Sequence, residues 1–141
     1  MELPTRPVLT IEVVKQLAEA SKAAAKQQGF DALIVCVVDP GGFLLYLERM
    51  DGVAPGTVDV AYLKARSAAM FGVVSKNFED AVADGLVGLV GLPGMAAFEG
   101  AAPILHEGRC LGAIAVSGLT KELDGEFAQA GADTLTTILG N

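Results

Sequence analysis

The stretch ALIVCVVDPGGFLLYLERMD, residues 32–51, constrains the fold more than any other. From Ala32 to Val38 every position is apolar. The run is too short and too β-branched for a core helix, and it fits a strand covered on both faces. Asp39-Pro40-Gly41-Gly42 is turn chemistry: Asp receives the turn hydrogen bonds, Pro presets φ, and Gly supplies positive φ. A second strand, Phe43 to Arg49, then runs back and ends in the polar cluster Glu48, Arg49 and Asp51. The loop GVAPG follows. APILHEGRCLGAIAVSG, residues 102–118, repeats the pattern, with Glu107-Gly108 as a two-residue turn. Two hairpins imply antiparallel pairing.

Helices fill the rest. Leu9 to Gly29 carries a stripe of Val14, Leu17, Ala18, Ser21 and Ala25 at helical spacing, with Thr10 to cap it and Gly29 to close it. A second helix runs from Thr57, capped by its own hydroxyl and with Asp59 in its first turn, to about Phe71. Ser75 caps a third that stops near Gly85. GLVGLVGLPGMAAFEG, residues 85–100, reads as an ordered connection holding one short strand. Thr120 to Leu139 is the last helix, with Leu123, Phe127, Ala130, Thr134, Leu135 and Ile138 facing inward. The strand–helix–strand alternation of a doubly wound parallel sheet is absent, so the fold class is α+β. At 141 residues the chain is a single domain, 1–141.

Composition narrows the function classes. Seventeen acidic against ten basic side chains give a net charge of −7, which argues against nucleic acid and anionic membranes as partners. Apolar residues make up 52% with no Trp, a large share for so small an interior, so self-association into a homo-oligomer is expected. No run reaches the ~18 apolar residues of a membrane span. MELPTRPVLT lacks the basic and apolar regions of a secretory leader, so a cytoplasmic location is expected. With one His and no Cys-x-x-Cys, a zinc site is not expected, and Cys36 and Cys110 read as reduced thiols in strands.

Several residues could carry chemistry, and each has a plainer structural reading. Lys64 shares a helix face with Val60, Ala61, Ala68 and Phe71. It either snorkels to water or aims its ammonium into a pocket. Arg49 and Asp51 form an ion pair at a strand end or clamp a ligand carboxylate. His106, the only His, is an exposed turn residue or a haem iron ligand. Met95 is a gap filler or a soft ligand. Glu99 lies among MAAF and GAAP, an apolar setting that raises a carboxyl pKa. Ser117-Gly118 stands where a strand meets a helix. Its free N–H groups attract anions, but Glu122, Asp124 and Glu126 already answer that dipole.

VVDPGG, ERMDG, LKARSA, EGAAPI and EGRCLGAIAVSG, in this order and spacing, resemble the GlcG/HbpS-like haem-binding family, which includes the C-terminal domain of some corrinoid adenosyltransferases. The likeness spans nearly the whole chain. It falls on Asp39, Gly42, Arg49, Asp51, Lys64, Ala65, Gly100, Pro103, Gly108, Gly112, Val116, Ser117, Gly118 and Asp124. It implies a profilin-like domain with a five-stranded antiparallel sheet flanked by about four helices, assembled into dimers or rings. It also implies haem binding in some members and genes near catabolic operons. Glu99 and Ala115 stand where the family often has Gly, and a carboxylate at 99 would repel haem propionates.

Two functions follow as expectations, and whether the protein is an enzyme stays open. The first is a cytoplasmic, oligomeric ligand-binding protein that takes haem or a related tetrapyrrole. In it Arg49, Asp51, Lys64, Ser117 and Gly118 hold the ligand and His106 is the candidate metal ligand. The second is a cofactor-free catabolic isomerase, hydratase or hydrolase acting on a small carboxylated substrate, with Glu99 or Asp124 moving the proton. A structural partner module without a ligand is the third possibility.

Overall fold

The two hairpins share one antiparallel sheet in the computed structural model, which describes residues 1–140. In chain order the elements are α1 (Ile11–Gln27), β1 (Ile34–Val38), β2 (Leu44–Arg49), α2 (Thr57–Phe71), α3 (Lys76–Ala83), a 3-10 helix (Val87–Gly91), β3 (Ala101–His106), β4 (Arg109–Ser117) and α4 (Lys121–Ile138). The strand order is β2-β1-β4-β3, so the central strands come one from each hairpin. β1 is buried at every residue, as its unbroken apolar run requires.

The sheet divides the core in two. Val35, Val37, Ala102, Ile104, Ile114 and Val116 face α1 and α4. Ile34, Cys36, Val38, Ala101, Ala113 and Ala115 face α2, which meets them with Ala61, Ala65, Ala68 and Ala69. Small side chains on both surfaces bring α2 close to the sheet. Burial pushes the Cys36 thiol up to about 12, which keeps it protonated and inert. No helix among the described residues is long and apolar enough to cross a membrane.

The α+β class and the four α-helices are as expected, but the described sheet has four strands, not five. Residues 85–100 supply no strand. Glycines recur there at 85, 88, 91 and 94, Pro93 interrupts, and the Val87–Gly91 part winds into a 3-10 helix. Glycine weakens a strand, whereas a three-residue period suits a 3-10 turn. The caps also differ. Thr57 is the first residue inside α2 and makes no cap hydrogen bond. Ser75 holds helical φ/ψ, and its Oγ accepts instead from the Ala101 amide at 3.0 Å, tying α3 to the start of β3. In α4 the buried face is Asp124, Phe127, Ala128, Gly131, Ala132 and Leu135, so Ala130 and Thr134 are off it. The small residues won that face because α1 packs there: a Cβ on Gly131 would lie 2.1 Å from Ser21 Oγ, and Ser21 donates to the Phe127 carbonyl at 2.8 Å.

Candidate functional site

The antiparallel register gathers most of the sequence-nominated residues at one end of the sheet. β2 and β4 finish there, and β1 and β3 begin there. Arg49 pairs with Ile34, which pairs with Ser117, so these three side chains stand in one row on the α2 face. Asp51, Gly118, Glu99 and Gly100 follow or precede the same strand ends. α2 delivers Lys64 to that end and α4 delivers Asp124. His106 lies at the opposite end, at the last position of β3, five residues or roughly 17 Å along the strand from Ala101.

Lys64 is fully buried. Its Nζ donates to the Val116 carbonyl at 2.8 Å and to Asp124 Oδ2 at 3.4 Å, and sits 5.5 Å from the centre of the Phe98 ring. The ladder geometry explains the arrangement. Val116 donates its N–H to the Gly100 carbonyl at 2.9 Å. The return bond to the Val116 carbonyl comes from Lys64, because at φ +137° Gly100 has turned away from strand geometry. A Cβ at Gly100 would lie 2.2 Å from Lys64 Nζ. Glycine is therefore required twice there, for conformation and for space. Asp124 completes the knot: its Oδ1 accepts from the Leu119 amide at 3.1 Å. Burial pushes the Lys64 ammonium down and the Asp124 carboxyl up, and each charge opposes the other's shift. Lys64 and Asp124 thus spend their charges on each other.

Arg49 and Asp51 are exposed. They border an open hollow of about 460 Å³ with Asp31, Ala32, Glu48 and Met50. Three carboxylates ring that hollow, so Arg49 does not make it attractive to an acidic ligand. Arg49 and Lys64 share a sheet face but do not converge on one cavity, since Lys64 is closed off by its own bonds. Ser117 is buried, and Gly118, at φ +110°, turns the chain under Val53. Thr120 caps α4 by accepting from the Leu123 amide at 3.3 Å, so the helix start is satisfied within the chain.

Glu99 lines a separate hollow of about 190 Å³ beside Gly100 and Ala101, closed by Val74, Lys76, Gly125 and Gln129. Burial raises its carboxyl pKa, as its apolar setting in the sequence suggests. A third hollow, about 430 Å³, lies at the far end, between the N-terminal segment and the second hairpin. Pro4, Thr5, Arg6, Arg109, Cys110 and Leu111 line it. Arg109 Nη1 donates to the Thr5 carbonyl at 3.1 Å, which holds the segment against β4. Arg109 is the ladder partner of His106. Met95 follows the Pro93-Gly94 turn beyond the 3-10 helix, and among the described residues no three His, Cys, Asp or Glu cluster as a metal site.

Nothing in the periodicity singles out Arg6, Arg109, Lys76 or Gln129. Arg6 stands in a Pro-flanked segment without a pattern. The one clue to Arg109 was its place beside the Glu107-Gly108 turn.

The family model described as "Haem degrading protein HbpS-like" matches residues 9–133. The chain belongs to the HbpS-like family. Its relatives include Protein GlcG of Escherichia coli K12, 32% identical over 115 residues that cover 82% of this chain and 85% of GlcG. Among solved structures, the HbpS-like domain superposes on Klebsiella pneumoniae protein ORFY with a TM-score of 0.87, at 29% identity over 96% of this chain and 97% of that one. It superposes on a double mutant of Streptomyces reticuli HbpS with a TM-score of 0.86, at 30% identity over 94% of this chain and 90% of that one. An HbpS-like fold therefore carries the knot of Lys64, Gly100, Val116 and Asp124 at one end and the Arg-flanked hollow at the other.

Proposed function

We propose that this protein binds a haem-like tetrapyrrole at the hairpin end of the sheet, with Arg6 and Arg109 facing the ligand's carboxylates and His106 the candidate iron ligand. One observation carries the reading. The 430 Å³ hollow is flanked by two guanidiniums, floored by Pro4 and Leu111, and lined by no carboxylate, and the chain's only imidazole stands across the ladder from one of those guanidiniums. The donor set fits the group: Arg matches carboxylates bidentately, and imidazole is a common axial ligand. Membership of the HbpS-like family supports the same ligand class.

Bound haem would supply redox-active iron. The chain's part is to hold acidic groups through Arg6 and Arg109 and to press Leu111 and Pro4 against the ring. His106 does not itself line the hollow and is half-buried at an edge strand, so a second copy of the chain is the natural cover.

Haem titration tests this. Saturable binding with a Soret band displaced from that of free haem is expected. His106→Ala should alter the spectrum, and Arg109→Ala should weaken binding roughly tenfold or more, the usual worth of a charge-assisted contact. Arg49→Ala should leave both unchanged. A spectrum indifferent to His106→Ala and Arg109→Ala would overturn the assignment. For the reading as a cofactor-free enzyme, Asp124 is closed off by Lys64 and the Leu119 amide, whereas Glu99 has space before it.

A further inference from the structure

We propose that Glu99 receives the ammonium group of a small organic cation in the 190 Å³ hollow between β3 and α4. The hollow lies at the other end of the sheet from the Arg-flanked one, and the proposal does not rest on haem binding.

The argument begins with how the carboxylate is placed. Glu99 sits just before β3, and its side chain lies flat on the backbone of α4. A Cβ at Gly125 would come 2.9 Å from Glu99 Oε2 and 3.2 Å from its Cγ. Gly125 is thus the notch that admits the carboxylate, a close approach that a larger residue would block.

The second step is charge accounting. Every ammonium near Glu99 is engaged elsewhere. Lys76 lines the same hollow, but its Nζ pairs with Asp80 at 2.7 Å; Lys121 pairs with Glu79 at 3.0 Å, and Lys64 with Asp124 at 3.4 Å. No cation of the chain lies within 4 Å of Glu99 among the described residues. Glu79 and Glu122 add negative charge around it, against Lys76 and Lys121. Partial burial together with those carboxylates holds its proton more tightly than usual, so an arriving cation would relieve a destabilised charge.

Size sets the ligand class. At 190 Å³ the hollow is smaller than the roughly 300–1,000 Å³ typical of drug-sized ligands, so only a few heavy atoms enter. Val74 and Ala101 offer apolar wall to a short alkyl chain, and the Gln129 amide stands at the rim. A primary amine of two to four carbons, as its ammonium form, meets all three conditions.

The probe is n-propylammonium chloride, followed through backbone amide shifts in the intact protein, with 1-propanol as the neutral control. Saturable shifts at Gly100, Ala101 and Gly125 are expected with propylammonium and not with propanol. Glu99→Gln should weaken them roughly tenfold or more, as loss of a charge-assisted contact does. Gly125→Ala, which fills the notch without touching the charge, should also displace the response, and both variants should keep the wild-type haem spectrum. Equal shifts from propanol, undiminished shifts in Glu99→Gln, or no saturable response to propylammonium would each overturn the proposal.

Discussion

Lys64 carries the sharpest energetic consequence. A fully buried ammonium is tolerable only because Asp124 and the Val116 carbonyl receive it. Lys64→Met leaves Asp124 buried without its counter-charge, and a loss of about 3–5 kcal/mol is expected. Lys64→Met combined with Asp124→Leu should recover most of it, because an apolar pair replaces both charges at once. Urea denaturation of the two single variants and the double variant checks the cycle. Two other carboxylates set opposite pH trends. Glu48 accepts from Lys22 Nζ at 2.9 Å and from Tyr46 Oη at 3.0 Å, and the Lys22 bond is the main cause holding it below its ordinary 4.5. Its contribution is present above 4.5 and is lost as pH falls through the lower folded value; partial exposure keeps it small. Glu99 is raised above 4.5 by burial, so its contribution is present below 4.5 and is lost as pH climbs through the higher folded value. In stability-versus-pH curves, Glu48→Gln should flatten the acid side and Glu99→Gln should remove a decline above pH 4.5.

At the scale of elements, α1 and α4 touch through Ser21 and Gly131. Gly131→Ala would place a methyl against Ser21 Oγ and 3.0 Å from the Leu17 carbonyl, and overpacking of this kind costs about 1–3 kcal/mol. Thermal melts should show that loss, relieved only in part by adding Ser21→Ala, since the Leu17 backbone remains. The second hairpin holds a stabilising opportunity. Glu107 sits at φ +49°, a conformation that disfavours most side chains. Glu107→Asn should raise the melting temperature, with a gain of up to about 1 kcal/mol. These elements also show what the sequence could convey. β1, both turns and the α1 stripe were legible because burial there follows one period along one segment. The α4 face was not: Leu123 and Ile138 suggested one stripe, but Gly131 and Ala132 won the contact with α1 through a fit between distant segments. The same limit applies to the site. Lys64 was conspicuous as a charge in an apolar stripe, yet whether it met solvent, ligand or Asp124 depended on where α4 begins, 60 residues on. Arg6 and Arg109 line one hollow only because the chain returns from Arg109 to Thr5 across 104 positions, which no local pattern records.

For the whole molecule, several large apolar side chains stand exposed together. Leu86 is 59% exposed, Val87 64% and Val90 70%, around the 3-10 helix. Burying such side chains against a second copy is worth about 25 cal/mol per Å² before the cost of association. Sedimentation is expected to give a mass that is a multiple of the 14.5 kDa chain, and Val90→Asp should lower it. A single-chain mass for the wild type would remove the expectation of a covering subunit over His106.

The ammonium at Val116 has one more consequence. It joins the entrance of β3, the exit of β4 and the first turn of α4, three stretches that local hydrogen bonding alone would let fray separately. Opening at that corner should therefore be all-or-none, with the Val116 and Leu119 amides exchanging with deuterium at one common rate. Removing the lysine would split that single event into independent, faster ones.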